Sequence, residues 1–122
     1  MRKSVLRSLG LLGRDAIAPA LRILADPAES WFMKRNLLGF VGENGGPTHA
    51  GPVAALAAHS HPRVREAALE SLYALDPDRA EPILLQALHD DDEAVTRKAV
   101  SILMRHGSAS SGFLAFLREA LM

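Results

Sequence analysis

Two equal intervals of 31 positions constrain the fold of this chain more than any other feature of its sequence. They separate Met33, Val64 and Val95, and the same register aligns Leu37 with Ala68 and Ala99, Leu38 with Leu69 and Val100, and Val41 with Leu72 and Leu103. Within each copy the apolar positions recur at the three-to-four spacing that places them on one side of a helix. The clearest copy is His61 to Leu75, HPRVREAALESLYAL, with Val64, Ala68, Leu72 and Leu75 in one stripe and Ala67, Leu69 and Ala74 beside it. A second series runs between these copies: Pro19, Pro52 and Pro82, separated by 33 and then 30 positions. Each lies early in its own apolar segment, where a missing N–H costs a helix little. The longer first interval falls in the DPAES loop, where length varies at low entropic cost. A period of 30–33 residues with two helices per unit describes a stack of helix pairs, each burying the face its neighbour leaves open.

The residue types agree with an all-α chain of about eight helices. Ala, Leu, Arg and Glu dominate, and no alternating strand pattern persists. Helices are expected over 3–12, over 16–25 behind an Asp15 cap, and over 31–41 with a stop at Gly42. Further helices are expected over 49–58, over 62–75 with a stop at Pro77, and over 79–89 with Asp78 and Glu81 as a capping-box variant. Asp90 to Glu93 place negative charge where the dipole of the next helix favours it, and that helix ends near Gly107. The last runs from Phe113 to Leu121.

Several function classes are disfavoured by what the chain contains. It has no cysteine, which removes disulfides, thiolate metal sites and thiol catalysis. Its 14 basic and 14 acidic side chains balance, so no broad field draws it to nucleic acid or to an anionic membrane. The basic and apolar start, MRKSVLRSLGLLGRD, is broken by Arg7 and Arg14 into a run shorter than a secretory core, and no stretch reaches the length of a membrane span. A soluble, cytoplasmic protein is the expectation.

PVAALAAHSHPRVREAALESL and the segment from Pro82 through LLQALHDDDEAVTRKAVSIL share a pattern. A proline-bearing first helix and a short acidic or histidine-containing turn precede V-R-x-A-A-L-x-x-L on a second helix. This resembles the HEAT repeat, in the short bacterial form found in HEAT-repeat and phycobilisome-lyase-like proteins. WFMKRNLLGFVG resembles a tryptophan-bearing variant of the same second helix. The resemblance covers about residues 3–121 and rests on recurrence, since any one copy is degenerate. It implies a right-handed α-solenoid forming a single domain over 1–122. The implied units are a half-repeat at 1–13, repeats at about 14–42, 47–75 and 78–107, and a terminal half-repeat at 110–122. It also implies that second helices line a concave face. Thr96 departs from the pattern, standing where Lys34 and Arg65 are basic.

Chemistry-bearing residues are few. His59 and His61 share one inter-helix turn, and His89 with Asp90 to Asp92 occupies the aligned turn of the next repeat. Zinc requires its ligands within ~2.0–2.2 Å of one point, which this spacing does not demand, so helix capping and solvated histidines are the simpler reading. Ser60 between two histidines lacks an orienting third group and an oxyanion hole, and GENGGP lacks the lysine of a phosphate loop. No catalytic residue, cofactor or metal site is assigned. Trp31 is expected to pack against the preceding helix, with an exposed anchor as the alternative. Asn36 is expected to face inward and bond the backbone of an adjacent turn.

What remains for function is the outward row of the second helices. It holds Lys3, Arg7, Lys34, Arg35, Arg65, Glu66, Glu70, Tyr73, Arg97, Lys98, Ser101 and Arg105. Much of that row reads as a solvated face carrying Glu–Arg pairs. Its basic balance and single tyrosine nevertheless suit a protein partner offering an acidic segment, with Arg35, Arg65, Tyr73, Arg97 and Arg105 the expected contacts. The expected function is therefore a non-catalytic protein–protein interaction scaffold. The alternative, implied by the lyase-like resemblance, is an accessory or lyase-type protein handling a tetrapyrrole chromophore; nucleic-acid and metal binding are weaker alternatives. The apolar last helix, GFLAFLREALM, offers a further route to oligomerisation.

Overall fold

The computed structural model describes residues 13–121, so the helix expected over 3–12, with Lys3 and Arg7, lies outside the described residues. Among the described residues there are seven α-helices and no strand. They are α1 (Ile17–Ala25), α2 (Trp31–Asn44), α3 (Ala50–Leu56), α4 (Pro62–Leu75), α5 (Pro77–Ala87), α6 (Glu93–His106) and α7 (Ser111–Ala120), with short 3-10 turns at Gly13–Ala16 and Pro47–His49. The second helices α2, α4 and α6 stack side by side. The first helices α1, α3 and α5 each pack against the second helix that follows, and α5 also against α4 before it. The architecture is the helical solenoid expected from the 31-residue register.

Equivalent positions carry equivalent burdens. Leu37, Ala68 and Ala99 are each 0 % exposed, as are Val41, Leu72 and Leu103. Removing a leucine side chain from water contributes about 1.5–3 kcal/mol, and these columns are the cement between successive helices. Leu69 on the central second helix is buried, whereas its register partner Val100 on α6, the last of the three, is only partly buried. At this end α7 seals the core with Phe113, half-buries Phe116 and Leu117, and leaves Leu114 and Leu121 exposed. The last helix thus does both things its composition allowed: one face packs and an apolar remainder stays at the surface.

Several helix ends differ from the sequence expectation, each for a local reason. Asp15 does not cap α1; it lies in the preceding 3-10 turn, and Ala16 stands at the cap without a side-chain bond. Pro77 does not follow a gap after α4 but begins α5. Asp76 closes one helix with its backbone N–H and caps the next with its carboxylate, which accepts from the Arg79 N–H. With Asp76 in that role, Glu81 is released from capping and accepts a hydrogen bond from the Ser108 hydroxyl at 2.8 Å. Histidine imidazoles act as caps: Nδ1 of His61 accepts from the Arg63 N–H, and Nδ1 of His49 from the Gly46 N–H. At the end of α6, Gly107 takes the left-handed conformation (φ 71°) and its N–H closes onto Leu103 and Met104.

Gly42 does not stop α2, which runs on to Asn44. Its role is close approach. A Cβ built at Gly42 would lie 3.0 Å from Ser71 Oγ and 3.1 Å from Ser71 Cα, so α2 and α4 meet here nearly backbone to backbone. Gly42→Val should therefore separate the two helices and cost about 1–3 kcal/mol, read as a lower denaturant midpoint. Gly39→Val, at a position with nothing within 4 Å of its Cβ, is the control and should fall by less.

Candidate functional site

Along the outer side of α2, α4 and α6 runs a groove of about 610 Å3. Residues without long side chains form much of it: Gly39 and Gly42 from α2, Ala67, Ser71 and Ala74 from α4. The helices approach closely at Gly42 and Ser71, and the small residues along this line leave a trough between them. The Ser71 hydroxyl at its base is buried against Gly42 and makes no hydrogen bond among the described residues.

The charged members of the groove are mostly engaged with one another. Arg105 of α6 donates to both carboxylate oxygens of Glu70 on α4, at 2.9 and 3.0 Å, and Lys98 Nζ lies 3.8 Å from the same carboxylate. The hydrogen bond from Arg105, joined by the Lys98 charge, holds the Glu70 carboxyl below its ordinary pKa despite partial burial. Arg63 pairs with Glu66 on its own helix and reaches Asp92, the α6 cap, at 2.8 Å. Tyr73 meets His106 edge-on, with ring centroids 5.6 Å apart, and the Arg105 guanidinium lies 6.0 Å from the Tyr73 ring. Four cations line the groove against three carboxylates, so its basic excess is a single charge.

The five expected contacts are distributed unequally. Arg35, Tyr73 and Arg105 line the groove. Arg97 is exposed on α6 but does not line it. Arg65 is not displayed at all: its side chain is 14 % exposed and its guanidinium is spent on the turn that begins the next repeat. Nε and Nη2 each donate to one carboxylate oxygen of Asp90 at 2.9 Å, and Nη1 donates to the carbonyls of His59 and Ser60 at 2.9 and 3.0 Å. Burial would raise the Asp90 pKa, but hydrogen bonds from Arg65 and from the Asp92 N–H outweigh it and hold the carboxyl below its usual value. The same pairing raises the pKa of Arg65. Position 65 is thus a clasp between repeats. Thr96, its register partner, bonds the carbonyl of its own turn instead, with Oγ1 3.1 Å from Asp90 O, which explains how a hydroxyl can stand in the place of a cation.

Trp31 reaches forward to the next repeat. Its indole is stacked on the His61 ring of the next repeat, with centroids 4.2 Å apart and planes 13° from parallel, while the Arg35 guanidinium lies 5.2 Å from its centroid. It remains 36 % exposed. Among the described residues Asn36 bonds no adjacent turn; it is partly buried and accepts from Arg35 Nε at 3.4 Å, a weak contact.

Two histidines of the turns hold backbone N–H groups, and the third meets an aromatic ring. His59 Nδ1 accepts from the His61 N–H at 3.0 Å, His61 caps α4, and His89 lies edge-on to Phe116 at 6.1 Å. Among the described residues no three His, Asp or Glu side chains gather in an arrangement that could hold a metal ion.

Sequence reasoning left out Arg63, Glu43 and the glycines of the trough. The pairing of Arg63 with Glu66 was readable as an i, i+3 contact, but its bond to Asp92 crosses 29 positions. Gly42 reads as a helix stop in a linear sequence, and only the crossing of α2 with α4 makes it part of a groove floor.

A family model of HEAT repeats matches residues 50–122. No curated protein and no solved structure shows a significant match to the chain. Among the described residues no helix is long and apolar enough to cross a membrane.

Proposed function

The chain belongs to the HEAT-repeat family, whose members commonly serve as protein-interaction scaffolds, and from that premise we propose that it is a non-catalytic scaffold holding a segment of a protein partner in the α2–α4–α6 groove. The observation that carries this reading is the coincidence of an apolar trough with a rim of Arg35, Tyr73 and Arg105. Interfaces draw most of their energy from a few aromatic and arginine contacts around a well-packed centre, and the rim supplies both residue types. A partner segment with apolar side chains along one side fills the trough, and its carboxylates meet Arg35 and compete with Glu70 for Arg105. Because nearly every cation in the groove already has a carboxylate beside it, charge here selects orientation and partner more than it supplies affinity. The same pairing leaves too little positive excess to track a phosphate backbone, where binding grows with the number of unpaired cations.

The test compares charge placed inside the groove with charge placed outside it. Arg35 and Ala74 are exposed and line the trough, and Arg97 is exposed on the neighbouring surface. The double variant Arg35→Glu, Ala74→Glu should weaken capture of the native partner at least about tenfold, which corresponds to 1.4 kcal/mol. Arg97→Glu should leave capture within about twofold of the unmodified protein. Both should melt near the unmodified protein by circular dichroism. Equal loss in the two variants would move the contact surface away from the groove.

A further inference from the structure

A second cavity, of about 580 Å3, lies between α1 and α3 and shares no lining residue with the groove. Leu21 and Leu24 of α1 and Leu56 of α3 contribute apolar walls, and the polar lining comes from Lys34 of α2 with His59 and Ser60 of the following turn. Lys34 is 4 % exposed, so most of a charged side chain is buried where it lines the edge of an apolar cavity. That arrangement is costly unless an anion or several acceptors stand close by.

The repeat register shows what stands there elsewhere in the same molecule. Lys34 aligns with Arg65, and His59 aligns with Asp90. Arg65 is clasped by the Asp90 carboxylate through two hydrogen bonds of 2.9 Å. One repeat earlier the corresponding turn residue brings an imidazole, and among the described residues no carboxylate lies within 4.0 Å of Lys34. We propose that this cavity binds a small monocarboxylate with an aliphatic body, its carboxylate sitting beside Lys34 as the Asp90 carboxylate sits beside Arg65.

The neighbouring groups fit that ligand. His59 Nδ1 already accepts from the His61 N–H, so a neutral ring carries its hydrogen on Nε2, where it is a donor. Burial, and next the positive charge of Lys34, hold the His59 pKa below its ordinary value, so the ring stays neutral around pH 7. Ser60 also lines the cavity and carries a hydroxyl able to donate. The apolar walls distinguish an aliphatic acid from an inorganic anion, and the volume lies within the range of about 300–1,000 Å3 typical of small-molecule sites.

Sodium hexanoate, hexan-1-ol and inorganic phosphate are suitable probes, followed by saturation-transfer NMR and by thermal melting of the full chain. Hexanoate should bind saturably and at least about tenfold more tightly than hexan-1-ol or phosphate, equivalent to 1.4 kcal/mol. Lys34→Met should abolish that preference for the acid over the alcohol. His59→Asp, which supplies Lys34 with a carboxylate from within the chain, should abolish hexanoate binding while the melting temperature holds or rises. The second variant guards against simple unfolding, since it removes the ligand without removing the buried cation. Absence of hexanoate binding, equal binding of the acid and the alcohol, phosphate binding as tightly as hexanoate, or undiminished hexanoate binding by a folded His59→Asp variant would each overturn the proposal.

Discussion

Arg65→Ala is expected to destabilise the protein by about 1.5–3 kcal/mol, because it removes charge-assisted hydrogen bonds and leaves the partly buried carboxylate of Asp90 without its partner. The loss extends beyond one ion pair. Arg65 also holds the carbonyls of His59 and Ser60, so one guanidinium fixes the start of α4 and ties it to the turn before α6. Equilibrium unfolding in urea, followed by far-UV circular dichroism, measures the change. The double variant Arg65→Met, Asp90→Leu should recover much of the loss, since neither charge is then left without its partner. A loss in Arg65→Ala of only a few tenths of a kcal/mol would show that the clasp is no stronger than an ordinary surface pair. The pH dependence has a definite sign. Asp90 has its folded-state pKa depressed below the unfolded value of about 3.9, so its contribution is fully present above that pH. It is lost as pH falls through the lower folded value, and this part of the acid sensitivity should be missing from the double variant.

Leu72→Ala is the second large effect, expected at about 3–4 kcal/mol. Leu72 is 0 % exposed on α4, the helix that packs against both α2 and α6, so the void left by truncation opens at the middle of the stack. In a repeat array each unit is held by its neighbours, and weakening a central junction weakens cooperativity as well as stability. The urea transition should therefore broaden as its midpoint falls. Leu121→Ala provides the contrast: with 85 % of its surface exposed, it should change stability by less than about 0.5 kcal/mol. Equal effects at the two positions would mean that the register does not identify the core.

These two residues also mark where linear reading succeeds and fails. Leu72 was identifiable from the sequence because hydrophobic burial repeats with the helix and with the unit. Val41, Leu72 and Leu103 share a register, and a residue type that is apolar at each copy must face the interior at each copy. Arg65 falls on the polar side of the same helix, where side-chain type alone does not separate a displayed cation from a clasped one. The difference lies in Asp90, 25 positions away, and in the turn geometry that aims its carboxylate back at the preceding repeat. The same holds for Trp31, whose ring stacks on the His61 ring of the next unit.

By itself, then, the sequence determined the helices, their pairing into a solenoid and the columns that bury. Those properties follow from local periodicity and from its recurrence at 31 residues. The tertiary structure decided which polar side chains are available. It committed Arg65 to Asp90, balanced Arg105 and Lys98 against Glu70, and brought Gly39, Gly42 and Ser71 together as the floor of a groove. Availability depends on what a neighbouring repeat places within about 3 Å, a distance set by helix crossing and turn shape and not by spacing along the chain.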